Sequence, residues 1–152
     1  YTIMICGDHC KTNLPFTHVI NMLAFASYLS GKHKEYILPM SLGALFTGSI
    51  SAQIYPDGMS KKYGLSTHVL KVGDILTHWL PAYILFKSTK NKVHSHHMIT
   101  AVVLPLLYFS YQYKTRQVVN PIKHLLETYP GVPLWVFALY LGGVSLTKIL
   151  KK

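Results

Sequence analysis

The stretch "KVGDILTHWLP", residues 71–81, places a lysine, an aspartate and a histidine within eight positions of an otherwise apolar run. At 100° per residue Lys71, Asp74 and His78 fall within roughly 60° of one another, and Thr67 joins the same side. Lys71 and Asp74 can pair at i,i+3, and Asp74 and His78 at i,i+4. An aspartate against an imidazole fixes its tautomer and raises its basicity, which suits proton transfer, catalysis or a polar lock between helices. With a hydroxyl nucleophile the same pair would make an acyl-transfer site, His78 as base and Asp74 as its orienter. Thr47 and Thr100 are the candidate nucleophiles.

Two further clusters carry ligand types. "HSHH" supplies His94, His96 and His97, and imidazole is the commonest metal ligand. No carboxylate stands near them in sequence, so they read as weak metal candidates or as a basic, pH-sensitive cap. "CGDHC" supplies Cys6, His9 and Cys10. These do not complete a tetrahedral zinc set, and a disulfide across so short a loop is geometrically demanding. No cofactor is identified by these residues.

The elements that must hold them read as lipid-spanning helices. Of the 152 residues 50% are hydrophobic and 13% charged, about half the ~25% charge of an ordinary soluble domain. The charges cluster between apolar runs near the ~20 residues that a bilayer requires. The expected architecture is all-α: one polytopic membrane domain over 1–152, with about five spans at 14–30, 36–55, 66–86, 97–113 and 131–150. Between the last two, Val118, Val119, Ile122, Leu125 and Leu126 share one side of a segment at about 116–128, the pattern of an interfacial amphipathic helix. "PDGMSKKYGL" reads as a turn between spans two and three. Prolines 15, 39, 130 and 133 fall near expected helix starts, whereas Pro81 and Pro105 fall inside spans and should kink them. Small residues at Gly43, Thr47 and Ser51, with Gly142 and Gly143 in the last span, predict close helix packing.

Depth along the spans sorts the candidates. Counting ~1.5 Å per residue, Asp74 lies ~12 Å from the membrane edge, level with Thr47, and His78 ~18 Å in, level with Gly43 and near Thr100. His18 lies only ~6 Å in, which separates it from His78 by ~12 Å and argues against a haem held by both. A charged group in mid-bilayer costs at least ~2.5 kcal/mol, so the ionisable face should turn inward.

The formal charge of +10 resides in short caps that suit anionic headgroups. No aromatic–basic interleaving, zinc spacing or phosphate loop points to nucleic acid. Lys32, Lys34, Lys87, Lys90, Lys92, Lys148, Lys151 and Lys152 fall on one side, and Lys11, Lys61, Lys62, Lys114, Arg116 and Lys123 on the other. That slight excess favours a cytoplasmic-type location for the C-terminus. The first ten residues lack the pattern of a cleavable signal.

Three functions fit. The foremost is a small structural or accessory subunit of a larger membrane-embedded assembly, a respiratory-type complex or a particle membrane, with other membrane chains as partners. The second is an intramembrane lipid-ester hydrolase. The bare arrangement of a threonine and a histidine in separate spans is similar to that of the androgen-induced membrane hydrolases, and that likeness would imply Thr47 or Thr100 with His78. The third is proton or ion conduction along Thr67, Lys71, Asp74 and His78.

Overall fold

The computed structural model describes residues 16–54, 56–115 and 132–152. Among them every regular element is helical. Helix α1 spans Phe16–Ser30, and α2 spans Lys34–Ser49 and runs on through a π-helical turn at Ile50–Ile54. Helix α3, Pro56–Tyr63, is followed by α4, Thr67–Asp74. A second π-helical turn, Ile75–Trp79, joins α4 to α5, Leu80–Ser88. Helices α6, Ser95–Thr115, and α7, Val132–Leu150, complete the order. The stretch at 116–128 and the Cys6–His9–Cys10 cluster lie outside the described residues.

Two continuous stretches, Lys34–Ile54 and Thr67–Ser88, are long and apolar enough to cross a membrane, at 21 and 22 residues. They match the expected spans at 36–55 and 66–86. The other three expected spans are also helices, with shorter apolar stretches at Ser95–Tyr108 and Phe137–Leu150. The reading of "PDGMSKKYGL" as a bare turn is corrected, because its first eight residues form α3. Pro56 pre-sets the first helical φ, Asp57 lies in the first turn, and Gly64 takes a left-handed φ of 65° just past the end. Proline at the start and glycine after the end are helix punctuation. Pro39 is likewise inside α2 and not at its start, since the helix begins at Lys34.

Helix α2 is the hub, in contact with α1, α5, α6 and α7. Its residues Ile37 to Ala44 are buried without interruption, as expected of a helix enclosed on all sides. Against it, α7 comes close enough that a methyl on Gly143 would lie 2.5 Å from the Leu42 carbonyl oxygen. Gly43 receives the ring of Tyr140 in the same way. Gly142, by contrast, faces open space. The pairing of Gly43 with Gly143 is the small-residue contact expected from the sequence, and it lets the two helix backbones approach closely.

Two of the prolines inside the helices, Pro81 and Pro105, are answered by side chains from other helices. Pro105 in α6 has no N–H for the carbonyl four residues back, that of Ala101, and its ring crowds it. The Tyr140 hydroxyl of α7 donates to that carbonyl at 2.5 Å. Pro81 in α5 denies the Thr77 carbonyl its α-helical donor in the same way, and Asn21 Nδ2 of α1 donates there at 2.9 Å. Both expected kink sites therefore become interhelical bonds.

Candidate functional site: a polar knot around Asp74

From α4 through the π-turn and α5 to the residue that caps it, the buried positions are Leu70, Asp74, Thr77, Ala82, Leu85 and Thr89. The steps are three or four residues, except for five between Thr77 and Ala82. That extra residue is the π-turn at 75–79, and such turns often mark functional or strained positions. It keeps one face turned inward past Pro81 while bringing His78 and Trp79 toward α2.

Asp74 is the acceptor at the centre. Its side chain is 0% exposed and that of His78 is 13% exposed, with His78 Nδ1 2.8 Å from Asp74 Oδ1. Thr77 Oγ1 lies 3.1 Å from the same Nδ1. Gln53 Nε2 donates to Oδ2 at 2.8 Å and Ser49 Oγ donates to it at 3.3 Å. Trp79 Nε1 in turn donates to Ser49 Oγ at 3.1 Å. Gln53 Nε2 also reaches the Lys71 carbonyl at 3.4 Å. The carboxylate thus ties α4 and its π-turn to the end of α2 and the π-turn that follows it. Asn21 adds α1 through the Thr77 carbonyl.

The imidazole of His78 lies flat on Gly48, where a methyl group would overlap Nε2 and both ring carbons beside it. The far side of the ring therefore faces backbone. His18 is buried in α1. The register expected from depth is shifted: Asp74 meets Ser49 and Gln53 instead of Thr47, and His78 meets Gly48 instead of Gly43. Straight helices of uniform pitch underlie the depth estimate, and the π-turns in both helices break that assumption. Even so, no three histidine, cysteine or acidic side chains among the described residues are placed to hold a metal ion.

The other expected site residues fall elsewhere. Lys71 is exposed and does not reach Asp74, so of the two expected pairs only the i,i+4 contact of Asp74 with His78 forms. Thr67 opens α4 behind Ser66, whose hydroxyl accepts from the Val69 N–H at 3.2 Å and caps the helix. Thr47 Oγ1 donates back to the Gly43 and Ala44 carbonyls at 3.2 and 3.1 Å. Thr100 Oγ1 donates to the His96 carbonyl at 3.0 Å. Neither hydroxyl is presented to His78 as a nucleophile would be. Sequence patterning does not single out Gln53, Ser49 or Trp79 as partners of Asp74. The one available signal was Gln53, an amide near the end of an apolar span.

No known protein family, curated protein or solved structure matches the chain. Its chemistry therefore rests on its own geometry, and the second polar region adds to it.

At the opposite end of the bundle His94, His96 and His97 open α6. The ring centroids of His96 and His97 are 3.9 Å apart, and Tyr36 meets His97 edge-on at 4.4 Å. His97 Nδ1 accepts from the His94 N–H at 2.9 Å, a helix cap in which imidazole replaces the usual glutamate of a capping box. A carboxylate does stand nearby, contrary to the sequence reading. Glu35 lines an open cleft of about 620 Å³ with Lys90, Lys92 and the three histidines. Its Oε1 accepts from Asn91 Nδ2 at 2.5 Å. Two lysines at this end serve as caps as well. Lys34 Nζ donates to the Ser88 carbonyl at 3.3 Å and Lys151 Nζ to the Thr89 carbonyl at 2.7 Å, where the helix dipole favours cations.

Proposed function

We propose that this chain is an integral-membrane helical bundle that serves as a small structural or accessory subunit of a larger membrane-embedded assembly. The observation that carries this reading is the contrast between inside and outside. Phe25, Leu29, Ile75, Leu76, Leu106 and Leu107 are all at least half exposed, whereas Asp74, the Thr77 and Ala101 carbonyls and the Thr47 hydroxyl are answered within the bundle. Large apolar side chains facing outward from several helices suit lipid and neighbouring membrane chains and not water. Interior polar groups that satisfy one another suit a scaffold more than a reaction site, because a base needs a reacting atom within reach. A lipid-ester hydrolase would require an opening on the Gly48 side of His78, and conduction would require Asp74 to release Gln53 and Ser49.

Extraction and native electrophoresis test the proposal. The chain should resist carbonate extraction and migrate, in mild detergent, with other membrane chains that crosslink to it. Release by carbonate, or a stable lone monomer with lipid-ester turnover abolished by His78→Ala, would overturn it.

A further inference from the structure

A shallow apolar slot of about 290 Å³ runs between α6 and α7, lined by Met98, Ile99, Val102 and Val103 on one wall and by Leu141, Val144 and Ser145 on the other. Its upper end carries a different chemistry. Ser95 shares a helical side with Met98 and Val102, at i, i+3 and i+7, and Leu141, Ser145 and Lys148 share one at i, i+4 and i+7. Lys148 Nζ donates to Ser95 Oγ at 3.2 Å, closing the top of the slot with an exposed ammonium and a hydroxyl. The Val93 N–H donates to the Lys151 carbonyl at 3.1 Å, which brings Lys92 and Lys152 to the same corner. Lys151 itself is occupied, with its ammonium on the Thr89 carbonyl and 4.1 Å from the Phe86 ring centre. The described acidic side chain at this end, Glu35, is held by Asn91. Lys148 thus caps an apolar slot with a positive charge that no described carboxylate answers.

A slot that is apolar along its length and cationic at one end has the profile of a single amphiphile. We propose that it binds one anionic phospholipid, with an acyl chain along Val102 and Leu141 and the phosphate on Lys148 and Ser95. This rests on the membrane reading and narrows it to a site. A packed helix from another chain would use the apolar walls and leave Lys148 without an anion.

Native mass spectrometry of the full chain, released from mild detergent with phosphatidylglycerol or phosphatidylcholine, tests the site. One phosphatidylglycerol should be retained in preference to phosphatidylcholine. Lys148→Gln should lower that retention about fivefold, the size of one lysine–headgroup attraction. Lys87→Gln, which removes a charge at the same end but over the Tyr83 ring, should leave it unchanged. Ser145→Trp should fill the slot and abolish retention, and Val103→Trp repeats that test if the first variant does not fold. Inorganic phosphate should fail to displace the lipid. Equal losses in the Lys87 and Lys148 variants, retention that survives both tryptophans, or displacement by phosphate alone would each overturn the site. Carbonate extraction separates the two levels: a chain that stays in the membrane but retains both lipids alike refutes the slot only.

Discussion

Replacing Tyr140 with phenylalanine removes one oxygen from a ring that is 7% exposed and leaves the Ala101 carbonyl, on a fully buried residue, without the donor that Pro105 made necessary. An orphaned buried acceptor costs about 1–3 kcal/mol, whereas interhelical bonds in lipid average about 0.6 and reach about 1.7 kcal/mol. With the bundle in lipid, as proposed, the full burial of Ala101 and the missing backbone donor put this bond near the top of that range, at about 1.5 kcal/mol. The decisive comparison is with Pro105→Ala. That change restores an N–H four residues after Ala101 and gives its carbonyl the ordinary helical bond. In that background Tyr140→Phe should cost only about 0.5 kcal/mol, a coupling of about 1 kcal/mol between two residues whose side chains need not touch. Four proteins unfolded reversibly in mixed micelles supply the cycle, and the unkinking effect of Pro105→Ala cancels within it. Equal costs in both backgrounds, to within about 0.3 kcal/mol, would refute the role assigned to the hydroxyl.

The same approach applies to Asn21→Ala with Pro81→Ala, where the Asn21 change should cost about 1 kcal/mol alone and markedly less beside the alanine at 81. Gly48→Ala should destabilise by about 1–3 kcal/mol because its methyl overlaps the His78 ring, while Gly142→Ala, facing open space, should gain about 0.5–1 kcal/mol of helix propensity; unfolding midpoints of the two single variants decide it. Asp74→Ala strips the acceptor from Gln53, Ser49 and His78 and should cost about 3 kcal/mol or more, with Asp74→Asn milder because its amide oxygen still accepts from Gln53. A comparable loss in both Asp74 variants would show that charge, not acceptor geometry, holds the knot. Gly143→Val should separate α7 from α2 and lower stability by about 1–3 kcal/mol, read in the same assay.

Helix ends were legible where composition changes abruptly. The charges at Lys32–Glu35 and Lys87–Lys92 bracket spans two and three to within two residues of their observed ends. The inward turn of Asp74 and His78 was legible too, because a 3.6-residue period and the cost of charge in lipid suffice to predict it. Register was not. It depends on the two π-turns, and nothing in "ISAQI" or "ILTHW" announces a residue of slack; only the five-residue step from Thr77 to Ala82 reveals it, once burial is known. The partners Ser49, Gln53 and Trp79 share that fate, since their types are ordinary and only register brings them to Asp74. The two interior prolines were read as kinks, and their answering donors, Asn21 and Tyr140, are distant in sequence and of common type.

That distance bears on how the chain is made. The donor for the Thr77 carbonyl lies 56 residues away from it, and the donor for the Ala101 carbonyl 39 residues away. One comes from the first described helix and the other from the last. A ribosome-bound chain therefore holds α6 with an unmet carbonyl until α7 emerges and docks, while α5 finds Asn21 already waiting. Docking of α7 is thus registered in the middle of the bundle, at Ala101.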